Sequence, residues 1–560
     1  MLLGSRVSFC AVLTFLSLAF PGFSQGETKE NRFLAAANDP AIIQAAMAAE
    51  KVVAEARITG VTVPHHILAA DLIARGIRAA SGGDYDRILV IGPDHFRSLN
   101  APFGVLTEPA QTAFGPLMQD QEAIAHLRAS DLFEDVGSAP REHAIHTLTP
   151  FLQAMMPGIP VTMITTASRS QRRDWDGAVE ILAPLLGPKS LIVQSTDYSH
   201  FLPRDVALLR DIETLGVIVA NNPELVSTLS QPSHLDSKAS QYLQMRLQER
   251  VHGARPMVVA HRDAHDYVPS DTGNGPTTSY FVTLYSDDPS GLSALSWEDH
   301  RRVVFGGDVF LGRGWSRVLE TREAFDPILK DLEKRRGPGA FMVNLEGVLL
   351  EERPAGSNPV QHLMLAKSAL AVLENMGVDA GNMANNHSHD FGSFGLEETF
   401  RLLDASGIIA LIHNRIQEFG NIALLPLSFR RGYFADHPVI RQIEQLETVC
   451  DLATRKPVVV LTHWGADYTN RVGPLEKEAL EVLANCGVAA VIGAHSHLAS
   501  KQVTLHGGGR LQAVFSMGNL IFDQTGDDVS GALVELRQFE KGTIALRLIP
   551  IPNYYEMVVR

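Results

Sequence analysis

Five short apolar runs in the C-terminal half of this chain each end in side chains that bind metal ions. The clearest run is Ala489-Ala490-Val491-Ile492, which is typical of a buried strand and leads through Gly493 to His495 and His497. The two imidazoles can leave one tight turn and converge, and imidazole is the commonest metal ligand among side chains. The other four runs end at Asp308, at Glu346, at Asn386 with His387, and at His463. Because sites in α/β sheets gather at the carboxyl ends of strands, this pattern predicts an α/β frame around a shared site.

The N-terminal half shows a second alternation of strand-like and helical segments. Strand-like runs cover 58–63, 87–91, 161–165 and 191–194, and helical patterns cover 67–80 and 235–250. An Ala-rich stretch over 35–56 predicts a lead-in helix. The alternation predicts a mostly parallel sheet covered by helices. His65 or His66, His95 and His200 then fall at the carboxyl ends of strands. The alternative is that these histidines are hydrogen-bonded polar groups of the core.

The length of the chain, 560 residues, exceeds one typical core, so at least two domains are expected. The polar, turn-rich stretch 287–300 predicts a linker between domains at 25–286 and 301–560. The formal net charge is −15, and no basic run stands out. This composition argues against nucleic acid as a partner.

Residues 1–24 have the pattern of a secretory signal peptide. Arg6 precedes the apolar run 7–20, and Pro21-Gly22-Phe23-Ser24 supplies small residues before a cleavage point. We therefore expect an exported protein, periplasmic or at the cell surface. The alternative, an uncleaved anchor, would make it membrane-associated.

Cys450 and Cys486 are the cysteines that remain after the predicted signal. Two cysteines of an exported protein can pair. Cys486, however, follows a helical pattern over 475–485, where a buried thiol is the favoured interpretation.

Several N-terminal motifs occur in an order typical of one known family. They are Pro64-His65, Gly92-Pro93-Asp94-His95, Glu142-His143, Leu148-Thr-Pro-Phe-Leu152 and Ser195-Thr-Asp197-Tyr-Ser-His200. On these residues, roughly 55–286 resembles the Memo-like family (AmmeMemoRadiSam system protein B). The resemblance implies a fold like that of class III extradiol dioxygenases. It also implies a pocket formed by His65, His95, His143, Asp197 and His200, able to hold a single metal ion. The family's cysteine, in a Cys-Gly segment, is replaced by His252-Gly253, which adds His252 to the expected pocket.

The ligand-type residues of the C-terminal half form a mixed oxygen and nitrogen set. Asp308 and Glu346 are carboxylates, Asn386 offers a carbonyl oxygen, and His463, His495 and His497 offer nitrogen. Such a set suits Zn, Mn or Fe. Two such ions about 3.5–4 Å apart could clamp an oxyanion and activate a bridging water. Asp308 and His387 are then the expected catalytic residues, with His387 donating a proton to a leaving oxygen.

The same half resembles the CapA family of poly-γ-glutamate capsule biosynthesis proteins over roughly 301–525. The motifs that carry the resemblance are Gly307-Asp308, Asn344-Leu-Glu346, Ala384-Asn-Asn-His387, His463-Trp-Gly465, Gly493-Ala-His-Ser-His497 and Ser516-Met-Gly-Asn519. The resemblance implies the α/β sandwich of calcineurin-like metallophosphoesterases. One departure weakens the case for a phosphatase: Phe310 stands where an Asp-x-His motif would have its histidine. The alternative is a metal-free domain whose polar strand ends serve binding or assembly.

These features support three hypotheses for an exported protein with two α/β domains. The first is a metal-dependent hydrolase that acts on an anionic envelope or capsule polymer, or on its precursor. The second is a non-catalytic component of a membrane-bound polymer synthesis or export complex. The third gives the main activity to a redox or dioxygenase-like metal site of the N-terminal domain.

Overall fold

A computed structural model describes residues 35–269, 273–319, 325–429, 446–526 and 529–559. The predicted signal peptide, 1–24, lies outside these residues. The chain divides into two compact units: one reaches to Asp211 and resumes over Pro223–Asp287, and the other comprises Ile212–Asn222 and Asp288–Arg560. In the part of the chain that is described, every helix is too short or too polar to cross a bilayer.

The N-terminal unit is formed around one mixed sheet. Its strands are β1 (Gly60–Val63), β2 (Arg87–Pro93), β3 (Phe103–Val105), β4 (Gln111–Thr112), β5 (Gly115–Pro116), β6 (Phe133–Asp135), β7 (Val161–Thr166), β8 (Ser190–Ser195), β9 (Tyr198–Pro203), β10 (Arg255–Asp263) and β11 (Pro276–Ser286). The sheet order is β10-β11-β1-β8-β2-β7-β3-β6, with β9 paired to β11. The four central strands β1, β8, β2 and β7 are parallel, as predicted. The edges are antiparallel, because β11 runs against β1 and β3 runs against β7.

Helices follow or precede these strands along the chain. They are α1 (Pro40–Ala49), α2 (Ala70–Ala80), α3 (Gln121–Arg128), α4 (His143–His146), α5 (Thr149–Met155), α6 (Arg172–Leu182), α7 (Arg204–Ala220), α8 (Lys238–Leu247) and α9 (Ala264–Tyr267). The predicted lead-in helix over 35–56 was too long. Asp39 caps α1 by accepting from the amide of Ala41 at 2.8 Å, and α1 ends where Glu50 takes an extended conformation. The Glu50 carboxylate binds the buried Arg75 at 2.9 Å, which ties the chain to α2 at this point.

The described part of the C-terminal unit contains two large sheets and one two-stranded sheet, formed by 348–350 and 363–365. Its strands are β12 (His300–Val309), β13 (Ala340–Leu345), β14 (Val348–Leu350), β15 (Leu363–Leu365), β16 (Ala380–Asn382), β17 (Ile409–Leu411), β18 (Gln417–Phe419), β19 (Ile422–Ser428), β20 (Val458–His463), β21 (Ala490–Ala494), β22 (Thr504–His506), β23 (Leu511–Val514), β24 (Asn519–Ile521), β25 (Gly531–Phe539) and β26 (Ile544–Ile551). One sheet has the order β17-β16-β13-β12-β25-β26, with β24 beside β12. The other has the order β18-β19-β20-β21-β23-β22.

The two sheets face each other and carry helices on their outer faces. The helices of this unit are α10 (Gly314–Val318), α11 (Asp326–Arg336), α12 (Ala366–Asn375), α13 (Gly392–Ala405), α14 (Leu446–Ala453), α15 (Pro474–Asn485) and α16 (Tyr554–Val559). A cavity of only about 10 Å³ is lined by both sheets, with Met342 from one and Leu461 from the other. Leu373 of α12 belongs to the apolar core on the first sheet, and Leu480 of α15 to the core on the second. The unit is therefore the α/β sandwich that the sequence predicted.

The segment predicted as a linker, 287–300, is a packed part of the second unit. Leu292 and Trp297 are buried, and β12 already begins at His300. The backbone carbonyl of Leu295 accepts a hydrogen bond from the buried Arg537 at 3.1 Å. Leu292, Leu295 and Trp297 therefore hold this stretch against the second unit. Its polar composition did not indicate this packing.

Cys450 and Cys486 form a disulfide, so the free-thiol interpretation of Cys486 was wrong. Cys450 lies on α14, and Cys486 ends α15. Both helices pack on the outer face of the second sheet. This packing brings together two cysteines that are 36 residues apart in the sequence.

Candidate functional site

Six predicted ligands of the C-terminal unit converge at the carboxyl ends of its strands. Asp308 lies on β12, Glu346 follows β13, Asn386 follows β16, His463 ends β20, and His495 and His497 follow β21. Their facing atoms are close: His497 Nδ1 lies 3.2 Å from Asp308 Oδ2, and His463 Nε2 lies 2.7 Å from Asn386 Oδ1. Except for Asn386, whose exposure is intermediate, these side chains are buried.

Three sets of three potential ligand atoms share the Glu346 carboxylate. One of them combines Glu346 with His362 and His387, and the other two consist of predicted ligands alone. The atoms of Asp308, Glu346 and His497 lie within 4.8 Å of one another, and so do those of Glu346, His463 and His495. A carboxylate common to two sets can bridge two ions. The arrangement therefore offers oxygen and nitrogen atoms that could hold a divalent metal ion.

The turn that carries the two histidines is strained. His495 has φ 93° and His497 has φ 59°, which are unusual for residues with a Cβ. Each such conformation costs about 1–3 kcal/mol and persists where the surroundings enforce it, typically at functional sites. Gly493 is required just before the turn, because a Cβ there would lie 1.8 Å from the carbonyl oxygen of Phe515.

The electrostatics of the site favour a bound cation. Burial, followed by the negative charge of Asp308, raises the pKa of Glu346 well above its ordinary value. Burial would lower the pKa of His497, but its hydrogen bond to Asp308 and the charge of Glu346 outweigh this and raise that pKa to about 9. Within the described residues, Glu346 Oε2 is buried and has no hydrogen-bond partner. These oxygen and nitrogen donors therefore fit divalent transition metals.

Three asparagines orient the ligands, and the sequence patterns did not assign them this role. Asn344 Nδ2 donates to Asp308 Oδ1 at 2.7 Å, and Asn382 Nδ2 donates to Asn344 Oδ1 at 3.1 Å. Asn519 Oδ1 lies 2.8 Å from His497 Nδ1. Asn344 and Asn519 lie inside the sequence motifs 344–346 and 516–519. This position is the signal that could have identified them.

A cavity of about 200 Å³ opens over the ligands. It is lined by Arg313, Glu346, His362, Asn386, His387, Asp467, Tyr468, His495, His497, Phe522 and Gln524. Sequence reasoning missed Asp467, whose Oδ1 lies 3.0 Å from His495 Nε2. Arg313 is the one permanent cation among these described lining residues, and Asp523 binds it through Nη2 at 2.6 Å.

His387 lies on the cavity wall, where it was expected to act as a proton donor. Its Nε2 lies 3.9 Å from Glu346 Oε1. Its ring stacks on His362, with centroids 3.5 Å apart, and His362 in turn stacks on Phe310 at 4.2 Å. His362, which was not predicted, therefore fills the space beside the phenylalanine that stands in place of the expected histidine.

The N-terminal unit gathers a separate histidine cluster. The ring centroids of His65 and His95 are 4.9 Å apart, those of His95 and His143 are 4.2 Å apart, and those of His65 and His143 are 5.3 Å apart. Asp197 Oδ2 lies 3.6 Å from His65 Nε2, and burial raises the Asp197 pKa to about 7. His200, on β9, has a pKa lowered to about 4 by burial and then by the charge of His95, which shows that it borders this cluster.

Two residues of the N-terminal unit differ from expectation. His252 does not join the cluster: its Nε2 lies 3.4 Å from Ser190 Oγ, at the start of β8, whereas the cluster lies past the ends of β1 and β2. Asp236, which was not predicted, has Oδ2 3.3 Å from His65 Nε2 and 3.9 Å from His95 Nε2. It immediately precedes the N-cap of α8.

Comparisons with known proteins agree with this division. Residues 40–268 match the family model described as Memo-like protein, and residues 302–411 and 430–524 match that of the bacterial capsule synthesis protein PGA_cap. The PGA biosynthesis protein CapA of Bacillus subtilis (strain 168) is 24% identical over 303 residues, which are 48% of this chain and 73% of the relative. A MEMO1 family protein of Methanococcus maripaludis is 26% identical over 188 residues, which are 30% of this chain and 63% of the relative.

Among solved structures, a hypothetical protein from Thermus thermophilus is 17% identical, with a TM-score of 0.29. The likeness covers 45% of this chain and 100% of that chain. A likeness of this size carries no argument about function.

Proposed function

Because this chain joins a Memo-like domain to a bacterial capsule synthesis domain, we propose that it serves the biosynthesis or processing of a capsule or envelope polymer. The substrate class is an anionic polymer of the poly-γ-glutamate type, or its precursor. Relatives of the C-terminal unit named as PGA and capsule biosynthesis proteins support this assignment.

The C-terminal unit acts in this proposal as a metal-dependent hydrolase. The observation that carries the proposal is the pair of ligand sets that share Glu346 beneath an open cavity. Asp308, Glu346, Asn386, His463, His495 and His497 would hold two divalent ions of the Zn, Mn or Fe type. Such ions, when bound, supply an activated water and offset charge on a substrate oxygen.

The chain's own residues would handle the substrate and the proton. Arg313 would attract an anionic group of the polymer, since it is the permanent cation of the described lining. His387 would give a proton to the leaving group, which is an oxygen in an ester or phosphoester and a nitrogen in a γ-glutamyl amide, because Asp390 holds its Nδ1 at 2.9 Å and leaves Nε2 for the cavity. Asn344 would keep Asp308 oriented throughout.

Export follows from the predicted signal and is supported by the Cys450–Cys486 disulfide. Disulfides persist in oxidising compartments and are rare in the reducing cytosol. The proposed location is therefore the periplasm or the cell surface.

One observation favours a second candidate, a non-catalytic component of a membrane-bound synthesis complex. Phe310 replaces the histidine that a phosphoesterase would use, and its ring stacks on His362. In that case the same side chains would serve binding and not hydrolysis.

A hydrolysis screen distinguishes the two candidates. The metal-loaded full chain is assayed on phosphomonoesters and on γ-glutamyl oligomers, beside Glu346→Gln. Glu346→Gln keeps the side-chain volume but removes the shared charge. Hydrolysis that disappears in the variant supports the enzyme. Absence of turnover on both substrate classes, with metal bound, favours the accessory role.

A further inference from the structure

Arg313 is held in a fixed position on the wall of the C-terminal cavity. Its Nε and Nη2 donate to the two carboxylate oxygens of Asp523, at 3.2 Å and 2.6 Å. Asp523 is itself anchored, because its Oδ2 accepts from the backbone amide of Gly314 at 2.9 Å. Arg313 has φ 45°, which is rare for a residue with a Cβ and persists where the surroundings enforce it. The guanidinium therefore has a defined place beside the ligands that line the same cavity.

A neutral histidine binds another edge of this guanidinium. Arg313 Nη1 lies 3.2 Å from His362 Nε2, and a guanidinium can only donate, so Nε2 accepts. The ring proton of His362 is then on Nδ1, which lies 3.2 Å from the backbone carbonyl oxygen of Glu346. The contacts with Asp523 and His362 use three of the five N–H groups of an arginine. Among the described residues, one N–H on each terminal nitrogen is left for a molecule bound in the cavity.

Two phenylalanines pack against the guanidinium. Its central carbon lies 4.7 Å from the ring centroid of Phe310 and 5.7 Å from that of Phe522. Both rings are buried, and a cation over an aromatic face is stabilised most where it is desolvated. Phe310 stands where an Asp-x-His motif would have its histidine. The position that lacks a metal ligand therefore supports an arginine of the cavity wall in this chain.

Arg313 and the expected proton donor, His387, are separated by one ring. His362, which contacts Arg313, stacks on His387 with ring centroids 3.5 Å apart. In a polymer of γ-linked glutamate, each amide nitrogen is bonded to the α-carbon that carries the next carboxylate. The leaving nitrogen is thus two bonds away from a carboxylate carbon. This connectivity matches a proton donor and a carboxylate-binding arginine that lie close together.

We propose that Arg313 selects the substrate of this site: its two remaining N–H groups bind the α-carboxylate on the leaving side of a γ-glutamyl amide. This inference rests on the proposed function and deepens it. A planar guanidinium with two donors suits a planar carboxylate that accepts at both oxygens. In the reaction, a water oxygen bonds to the carbonyl carbon and the C–N bond breaks. The leaving nitrogen takes a proton from His387, and the proton that the water loses restores that imidazole.

Binding of γ-linked glutamate dimers tests the proposal, since a dimer has one γ-amide and therefore one leaving side. The full chain is used without metal, so that affinity is measured by calorimetric titration in the absence of turnover. Arg313→Gln should weaken binding by about 10- to 100-fold, the size of a lost hydrogen bond between charged groups. Arg313→Lys, which keeps the charge but not the paired donors, should recover only part of the affinity. Arg317→Gln, at an exposed arginine of α10, is the matched control and should leave the affinity unchanged.

Two amidated dimers show which carboxylate Arg313 binds. Amidation of the α-carboxyl on the leaving side should weaken binding to the parent as much as Arg313→Gln does. The two changes together should then cost little more than either alone, because they remove the same interaction. Amidation of the α-carboxyl on the acyl side should leave the effect of Arg313→Gln intact. A purely structural role of Arg313 would instead weaken the binding of all three dimers alike.

Three results would overturn the proposal. One is a folded parent that binds no dimer, or an Arg313→Gln variant that binds the dimer as tightly as the parent. The second is equal weakening for all three dimers. The third is an effect of Arg313→Gln that disappears on amidation of the acyl side, which would assign the arginine to the other carboxylate. Because these measurements need no hydrolysis, a chain that binds as predicted but does not hydrolyse would refute only the hydrolase.

Discussion

Nδ1 of His387 lies 2.9 Å from Oδ2 of Asp390, three residues further along the same loop. The carboxylate fixes one nitrogen of the imidazole, while the other lies 3.9 Å from the Glu346 carboxylate. Asp390 Oδ2 also accepts from the backbone amide of His362 at 2.6 Å, so one carboxylate contacts the His387 ring and the backbone that carries the stacked His362 ring. Nε2 of His387 is thereby held beside the site, where the proposed function has it donate a proton.

Replacing His387 by alanine should lower hydrolysis and leave the metal in place. General acid catalysis contributes about 10²–10⁴-fold, and we expect a loss of that size in kcat. The measurement is the steady-state rate on the substrate that the hydrolysis screen identifies, with metal content determined on the same sample. If His387→Ala lost its metal as well, His387 would be a ligand and not a donor.

Asp390→Asn should reduce the rate less than His387→Ala does. The amide oxygen can still accept from Nδ1, but it lacks the negative charge that strengthens such a hydrogen bond. The matched control is Asp404→Asn, on the exposed end of α13, which should leave the rate unchanged. Equal losses in the Asp390 and Asp404 variants would indicate a general effect of the substitution.

Loss of the disulfide should destabilise the C-terminal unit. Cys450 and Cys486 enclose a loop with a sequence separation of 36, and native disulfides of this kind contribute about 2–4 kcal/mol. Denaturant unfolding of the Cys450→Ser/Cys486→Ser variant measures this difference. Reductant should lower the stability of the parent to that of the variant and leave the variant unchanged. A parent insensitive to reductant would contradict the pairing.

The buried Glu535 is surrounded by arginines and should respond strongly to substitution. Its Oε2 lies 2.6 Å from Arg302 Nη2 and 2.5 Å from Arg547 Nη2, and Arg537 Nε donates to Oε1. Glu535→Gln would leave buried guanidinium groups uncompensated, which costs about 3–5 kcal/mol. The exposed Glu540→Gln is the matched control. Similar unfolding midpoints for the two variants would refute the role of this cluster.

Low pH should remove the contribution that Glu535 makes to the free energy of unfolding. Burial would raise the Glu535 pKa, but the charges of Arg537, Arg547 and Arg302 outweigh it and hold that pKa well below its ordinary value. A carboxyl whose pKa is lower in the folded state stabilises the protein above its unfolded pKa, about 4.3. This stabilisation is lost as the pH falls below that value. In Glu535→Gln the corresponding acid dependence of the unfolding free energy should be smaller.

The convergence of side chains in the C-terminal unit could be predicted from the sequence because its signals are local. Asp308, Glu346, His463 and His495 each terminate an apolar run, and the carboxyl ends of strands meet wherever the sheet forms. The backbone strain at His495 and His497 could not be predicted from the sequence, because the residue types do not determine φ. The antiparallel pairing at the edges of the N-terminal sheet was not predicted, since an antiparallel partner can be distant in the sequence.

Three of the residues that sequence reasoning missed lie on loops. Asp236, His362 and Asp467 follow no apolar run, so only tertiary packing shows what they contact. His252 illustrates the opposite error: a motif position suggested the pocket, but its segment lies at the amino end of β8. The pairing of Cys450 with Cys486 depends likewise on how two helices pack on one sheet.

Metal content tests the central claim most directly. Elemental analysis of the metal-reloaded full chain is compared with a His495→Ala/His497→Ala variant whose fold is confirmed by its unfolding transition. We predict that the variant loses about two equivalents of a transition metal and keeps any ion of the N-terminal unit. Equal metal content in the two proteins would contradict a dinuclear centre at Asp308, Glu346 and their histidines, and the hydrolase would lose its activated water.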